Sequence, residues 1–202
     1  SDLEQQLVED TTLYLGERAK AHRQAMSHAR LVALTGSCGK TTTRQFLQSI
    51  CEQVAPTHAS IKSFNNHLGV PLTLLGIEPS HDIVVQEMGA NHPGELSYLA
   101  SLAAPDVAMI TNVGPVHLEG FGSVEGVVRA KSEIFEGLST DGVAVLNADD
   151  AFYEYCKSTV SGSRIITFSQ YQNADVMAKN IQMHQSGVAA FDLCIGEKTY
   201  PV

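Results

Sequence analysis

A short run that contains two glycines, a lysine and several threonines, Thr35–Thr43 (TGSCGKTTT), has the residue types for binding phosphate. It lies between an apolar, strand-like stretch, Leu31–Leu34, and a helix-like stretch, Thr42–Cys51. A turn of this kind leaves backbone N–H groups unpaired at the start of a helix, where the helix dipole also favours an anion. We therefore predict that this run binds the phosphates of a nucleotide through Gly36, Ser37, Cys38, Gly39, Lys40, Thr41 and Thr42.

Two side chains of this run have distinct expected roles. The ammonium of Lys40 is expected to reach the outer phosphates, and the hydroxyl of Thr41 to bind a magnesium ion that those phosphates hold. The run departs from the usual pattern, because Leu34 stands where a glycine normally lies five residues before the Gly-Lys pair. A chance loop is the alternative, and the flanking strand and helix favour nucleotide binding over it.

Three further residues are candidates for chemistry. Glu87 ends the strand-like run Ile83–Gln86 and is a candidate oxygen ligand for magnesium, with an exposed strand-terminal glutamate as the alternative. His117 follows another strand end, and a contact to a ligand or phosphate and a merely structural role both remain open. Lys131 lies in a helix-like run, and periodicity alone predicts a solvated lysine. A nucleophilic or CO2-capturing lysine would need a lowered pKa.

The loop Phe64–Pro71 places Asn65, Asn66 and His67 just before an apolar helix. Asn66 could cap that helix, which is a common role for asparagine. The same cluster could instead face a polar substrate. The residue types do not decide between these two roles.

The elements that position these residues alternate along the chain. Strand-like apolar runs separated by helix-length segments recur at Leu31–Leu34, Ile83–Val85, Val107–Ile110, Val143–Leu146 and Ile165–Phe168. This alternation predicts an α/β fold, with a mostly parallel sheet and helices on both faces. After about residue 170, two longer strand-like runs, Ala174–Met183 and Val188–Ile195, predict a small antiparallel β appendage.

Ligands of open parallel sheets bind beyond the carboxyl ends of the strands. Four predicted strand ends carry polar clusters, and we expect them to line one crevice: Thr35–Thr41, Glu87–His92, Thr111–His117 and Asn147–Asp150.

Composition narrows the class of protein. The 202 residues, 44% of them hydrophobic, predict a linker at 1–9 followed by one domain at 10–202. A net charge of −9 disfavours a nucleic-acid partner. Four scattered cysteines fit a reducing cytoplasm better than a disulfide framework or a zinc site. No apolar stretch approaches the ~20 residues of a membrane span, so we expect a cytoplasmic protein without membrane insertion.

Six segments together resemble the Mur ligase family of peptidoglycan precursor synthesis: Thr35–Thr43, Phe64–Leu75, Glu87–Glu95, Thr111–Ser123, Arg129–Leu138 and Leu146–Asp150. The segment Glu87–Glu95 (EMGANHPGE) is most similar to the branch that adds D-alanyl-D-alanine. The resemblance implies that residues 10–202 form the central ATP-binding domain of a monomeric ligase. It also implies that the N-terminal UDP-binding domain and the C-terminal domain are absent from this chain, which by itself is expected to be inactive.

The resemblance further implies a reaction: ATP-dependent joining of D-Ala-D-Ala to UDP-MurNAc-tripeptide through an acyl phosphate. Lys40, Glu87, His117 and Lys131 would be catalytic. Thr41 and Glu87 would hold one Mg²⁺, while His117 and a carbamylated Lys131 would hold a second. The residues that would face the muramoyl peptide are Asn65, Asn66, Asn91 and His92. A non-catalytic nucleotide-binding module, or another Mur or folylpolyglutamate-type ligase, is the alternative.

Overall fold

The computed structural model describes residues 7–185 and 187–202, which build one nine-stranded sheet. The strands are β1 (Arg30–Thr35), β2 (Thr57–Ala59), β3 (Ile83–Glu87), β4 (Val107–Ile110), β5 (Val143–Asn147), β6 (Arg164–Ser169), β7 (Val176–Met183), β8 (Ala189–Ile195) and β9 (Lys198–Pro201). Their order across the sheet is β2-β3-β1-β4-β5-β6-β7-β8-β9. The predicted α/β class is confirmed.

Helices connect most of the parallel strands. They are α1 (Thr11–Ala25), α2 (Lys40–Cys51), α3 (Gly69–Leu75), α4 (Glu95–Ala103), α5 (Leu118–Phe121), α6 (Val124–Ser132) and α7 (Tyr153–Thr159). A 3₁₀ helix, Glu133–Gly137, continues directly from α6. The helix-like run that contains Lys131 is therefore divided into two segments.

The central strands are buried because helices cover both faces of the sheet. Leu31, Ala33 and Val84 are fully buried, as expected for short runs that are apolar on both sides. Strand β1 pairs in parallel with β3 on one side and with β4 on the other. Leu34 lies opposite Glu87 in this register, which brings the segment after β1 next to the end of β3.

The antiparallel β appendage is confirmed, and it is continuous with the main sheet. Strand β7 pairs in parallel with β6 at Phe168↔Val176 and Ser169↔Met177, and the antiparallel pairs β7–β8 and β8–β9 follow. The carboxylate of Asp149 accepts N–H groups from the turn after β6, including that of Gln170 at 2.7 Å. This turn brings the chain back so that β7 can pair with β6.

Helix α1, near the beginning of the described residues, packs against α3 and α4. Residues 1–6 of the predicted linker lie outside the described residues, and Asp10 immediately precedes the helix. Helix α1 buries Gly16, Ala19 and Arg23 against its neighbours. Within residues 7–185 and 187–202, no helix combines the length and the apolar character needed to cross a membrane.

Candidate active site

The segment between β1 and α2 forms the turn that the sequence predicts for phosphate binding. Gly39 is the N-cap of α2 and has a positive φ of 78°, a conformation that glycine adopts without strain. No side chain caps α2 within the described part of the chain. The first N–H groups of the helix, from Lys40 onward, therefore remain available to an anion.

The first half of this turn is bonded to the loop after β4. Asn112 accepts the N–H of Ser37 through its backbone oxygen at 3.0 Å and the N–H of Cys38 through its side chain at 2.9 Å. The Ser37 hydroxyl donates to the oxygen of Gly114 at 3.0 Å. These contacts fix the shape of the turn, and they leave the donors for phosphate to its second half. Asn112 is a supporting residue that the sequence reasoning did not single out.

Thr41 and Glu87 meet at the ends of two neighbouring elements. The Thr41 hydroxyl donates to Oε2 of Glu87 at 2.9 Å, and the Asn65 amide donates to Oε1 at 2.8 Å. Glu87 is only 1% exposed, so the alternative of an exposed strand-terminal glutamate is wrong. No salt bridge recorded among the described residues involves this carboxylate. A buried carboxylate without a cationic partner suits a bound cation.

Lys131 is buried rather than solvated, so the interpretation from helical periodicity alone is wrong. Lys131 lies on α6 and is 2% exposed. Burial and, to a smaller extent, the nearby positive charge of Lys40 together lower the pKa of Lys131 to about 8, while Cys38 opposes the shift. Apolar periodicity missed this lysine because its burial depends on loops from other parts of the chain.

A cavity of about 370 Å³ brings together six of the fourteen predicted site residues. Its lining includes Lys40, Asn65, Asn66, Asn91, His117 and Lys131. Ser63, His67, Glu95 and Tyr98 also line it. Of these four, only His67 was singled out from the sequence, as part of a loop that could face a polar substrate. The cavity therefore joins the lysine of the phosphate-binding turn to the loops that were predicted to face a peptide.

Two predicted site residues occupy the rim. His117 is exposed, has a φ of 51° and is the N-cap of the short helix α5. His92 is absent from the lining of the cavity and lies with Asn91 and His117 in an adjoining open groove. Its ring nitrogen is 3.4 Å from the carboxylate of Glu95.

Glu95 organises the loop before α4. Its carboxylate accepts the N–H groups of Asn91 at 2.7 Å and His92 at 3.3 Å. Burial raises the pKa of Glu95, but these donors outweigh burial and hold that pKa below its ordinary value. The bond from its backbone N–H to Glu95 thus holds Asn91 in place, and Asn91 lines the cavity.

Asn66 has the capping role that was one of its two predicted alternatives. Its side-chain oxygen accepts the N–H groups of Leu68 at 3.2 Å and Gly69 at 2.9 Å, where α3 begins. Because Asn66 also lines the cavity, the cap and a ligand contact are compatible.

The fourth predicted cluster, Asn147–Asp150, does not line the cavity. Asp150 accepts the N–H of Val113 at 2.6 Å, and the amide of Asn147 donates to the oxygen of Thr111 at 3.2 Å. The expectation that all four clusters line one crevice is therefore wrong for this one. It supports the loop that carries His117.

A parallel α/β sheet with a phosphate-binding turn after its central strand, and a buried acid at the end of the adjacent strand, defines the class of nucleotide-binding P-loop domains. Comparison with known proteins is more specific. Residues 34–201 match the Mur ligase middle domain, and the chain belongs to the Mur ligase family.

Relatives and solved structures agree with this assignment. The UDP-N-acetylmuramoyl-tripeptide–D-alanyl-D-alanine ligase of Escherichia coli K12 is 42% identical over 187 residues, which are 92% of this chain and 41% of that protein. A crystal structure of MurF from Acinetobacter baumannii superimposes with a TM-score of 0.95 at 37% identity, covering 100% of this chain and 44% of that one. MurF from Thermotoga maritima, solved in complex with ADP, has a TM-score of 0.88 at 27% identity, with 100% and 46% covered. The chain thus spans less than half the length of these relatives.

Proposed function

We propose that the whole protein is a cytoplasmic, monomeric, ATP-dependent ligase that joins D-Ala-D-Ala to UDP-MurNAc-tripeptide. In this proposal, the present chain supplies the ATP and magnesium site. The observation that carries it is that Lys40 of the predicted phosphate-binding turn and the buried Lys131 line one cavity. The Thr41–Glu87 pair is connected to this lining through Asn65, which donates to Glu87. The names of the similar ligases support the choice of substrates.

The proposed reaction has two steps. A carboxylate oxygen of the muramoyl peptide attacks the γ-phosphorus of ATP, and ADP leaves. This first step gives an acyl phosphate. The amine of D-Ala-D-Ala then attacks the acyl carbon of that intermediate, and phosphate leaves. Lys40 would hold the outer phosphates and stabilise the charge that develops on the transferring group. In the structure its ammonium donates to the oxygen of Gly36 at 2.8 Å, so phosphate would replace a loop carbonyl as its acceptor.

The oxygen donors at Thr41 and Glu87 fit a first magnesium ion. Among the described residues no three His, Cys, Asp or Glu side chains cluster as metal ligands, so the phosphates would have to complete the shell. Magnesium, when bound, would neutralise the crowded anions of the two substrates. The buried carboxylate of Glu87, which takes part in no salt bridge recorded among the described residues, is the feature that supports the site.

His117 and Lys131 would hold a second ion, and Lys131 fits this role once it has lost its positive charge. At a pKa of about 8, about a fifth of the amine is neutral at pH 7.4, against about one in a thousand at the ordinary value. The neutral nitrogen can attack the carbon of CO2 and release a proton, which leaves a carbamate. A carbamate is an anionic oxygen ligand, as a magnesium site requires.

Phosphate release by the full-length protein tests the proposal. With UDP-MurNAc-tripeptide, ATP and D-Ala-D-Ala, we expect turnover that depends on the dipeptide. Lys40→Ala should lower turnover by at least about a hundredfold, because it removes a charge that acts in the transition state. Lys157→Ala is the matched control, since Lys157 is exposed on α7 and lies over the ring of Tyr153.

Two results would contradict the proposed function. Turnover that requires a different amino acid would indicate another ligase of the same superfamily. ATP binding without any phosphate release in the wild-type protein would favour a non-catalytic nucleotide-binding module and would reject the ligase.

A further inference from the structure

The carboxylate of Glu87 is held from two sides by neutral donors. The Thr41 hydroxyl donates to one oxygen, and the amide nitrogen of Asn65 donates to the other. With 1% exposure, Glu87 has almost no water to replace a lost donor. Each of these two bonds therefore helps to decide where the carboxylate points.

Asn65 is itself fixed by backbone contacts along β3. The segment that carries it begins at Ser60, whose N–H donates to the oxygen of Val85 at 3.0 Å and whose hydroxyl accepts the N–H of Glu87 at 3.2 Å. Further on, the N–H of Gly89 donates to the oxygen of Asn65 at 2.8 Å. A Cβ at Gly89 would lie 2.9 Å from the Asn65 amide carbon. Glycine at position 89 is what lets the asparagine lie against this strand end.

We infer that Asn65 is a positioning residue for Glu87. Its amide fixes one carboxylate oxygen so that the other stays turned toward Thr41, on the side where the proposed function places magnesium. The resemblance assigned Asn65 to the peptide, and the residue does line the cavity, but its amide nitrogen donates to Glu87. The inference rests on the proposed function, because it concerns the ion that Glu87 would bind.

The test is the magnesium dependence of nucleotide binding by the full-length protein. A fluorescent ATP analogue is titrated in excess Mg²⁺ and in EDTA, and the ratio of the two Kd values measures the contribution of the ion. For Asn65→Ala we expect this ratio to fall about tenfold, the effect of losing one hydrogen bond to a charged group, while the Kd in EDTA changes less than about twofold. Asn65→Leu keeps the branched shape and the number of side-chain heavy atoms without the donor. This variant should show the same loss and serves if the alanine variant does not fold.

Asn173→Ala is the matched control, because Asn173 is exposed and follows the turn after β6. Steady-state kinetics provide a second readout. The Mg²⁺ concentration for half-maximal turnover should rise about tenfold in the Asn65 variants, with KM for the muramoyl peptide unchanged. A raised peptide KM with an unchanged Mg²⁺ requirement would overturn the inference and return Asn65 to the peptide.

The outcomes also separate this inference from the proposed function. If the wild-type protein shows no effect of Mg²⁺ on nucleotide binding, the proposed site fails and the inference fails with it. If the wild-type protein responds to Mg²⁺ and both Asn65 variants respond equally, only the role of Asn65 is overturned. Loss of thermal stability with an unchanged Mg²⁺ ratio would show a purely structural role, and would also overturn it.

Discussion

Burial changes the chemistry of two charged residues at the site. Glu87 lacks a cationic partner among the recorded salt bridges of the described residues, although it is 1% exposed. Lys131 is 2% exposed, and its pKa is lowered to about 8 by burial and by Lys40. Burying an isolated ionised group costs free energy. Such groups are therefore kept mainly where a function needs them, and they cluster at functional sites.

Lys131→Arg tests the carbamate proposal. A guanidinium stays protonated and cannot react with CO2, so the full-length variant should lose turnover by at least about a hundredfold while remaining folded. In wild-type protein at a fixed CO2 pressure, turnover should rise as pH increases through about 8, because the neutral amine becomes more abundant. Phosphate release is measured across this pH range at fixed CO2 pressure. It is also measured in CO2-depleted buffer with and without added bicarbonate.

The control for this experiment is Lys20→Arg, which makes the same change at an exposed lysine of α1. Equal activity of the wild-type protein with and without bicarbonate, after thorough removal of CO2, would contradict the proposal.

The helices matter at the next scale, because their ends set where the loops of the site begin. Helix α6 changes to a 3₁₀ helix at Glu133, two residues after Lys131. The carboxylate of Glu133 accepts the N–H groups of Gly94 at 2.8 Å and Ser97 at 3.2 Å at the start of α4. The element that carries the buried lysine is thereby tied to the helix that forms another wall of the cavity.

The cap of α1 gives a prediction at this scale. Asp10 accepts the N–H groups of Thr12 at 2.7 Å and Leu13 at 3.0 Å. Asp10→Ala should lower the free energy of unfolding by about 1 kcal/mol, because those donors lose their partner. Urea denaturation measures this value, with Glu9→Ala as a control that removes the same charge from the adjacent exposed residue. Equal effects of both substitutions would show that charge, and not the cap, is responsible.

For the whole molecule, one sheet holds the site at its carboxyl edge and makes packing contacts at its opposite end. There, Asp106 accepts the N–H of Leu31 at 2.8 Å and pairs with Arg23 at 3.3 Å and Arg30 at 2.8 Å. Arg23 also donates to the oxygen of Ala103 at 3.0 Å. These contacts join α1, β1 and the connection between α4 and β4, so the end of the sheet away from the site is rigidly held.

Global stability is expected to depend on pH through His58, on the edge strand β2. Burial lowers the pKa of His58, and the charge of His81, whose ring centroid is 5.1 Å away, adds to this effect. The folded state therefore binds fewer protons than the unfolded state below about pH 6.5. Stability is fully present above that pH and is lost as pH falls toward the lowered pKa.

His58→Gln should reduce this pH dependence, since a glutamine amide can still donate to the oxygen of Thr73, which His58 Nε2 contacts at 2.9 Å. The measurement is the free energy of unfolding in urea at pH 7.5 and at pH 5.5, for wild type and variant. His28→Gln is the control at an exposed histidine. An unchanged difference between the two pH values in His58→Gln would contradict the assignment.

Local pattern determined much of the fold. Short apolar runs such as Leu31–Leu34 and Val107–Ile110 became strands because chains that are apolar on both sides must be covered on both sides. The glycines and Lys40 marked the phosphate-binding turn, because a turn of this kind depends on residue types within a few positions. The division at Glu133 and the exact start of α4 were not predicted, since contacts with other helices set them.

The tertiary structure alone decided the chemistry of the individual side chains. Lys131 was predicted to be solvated by periodicity, and it is buried in the fold, where α6 packs against α4, α5 and α7. Asn65 was assigned to a substrate, and it contacts Glu87, which is 22 positions away. Burial, pKa and hydrogen-bond partners depend on which distant residues meet, and that meeting requires the folded sheet.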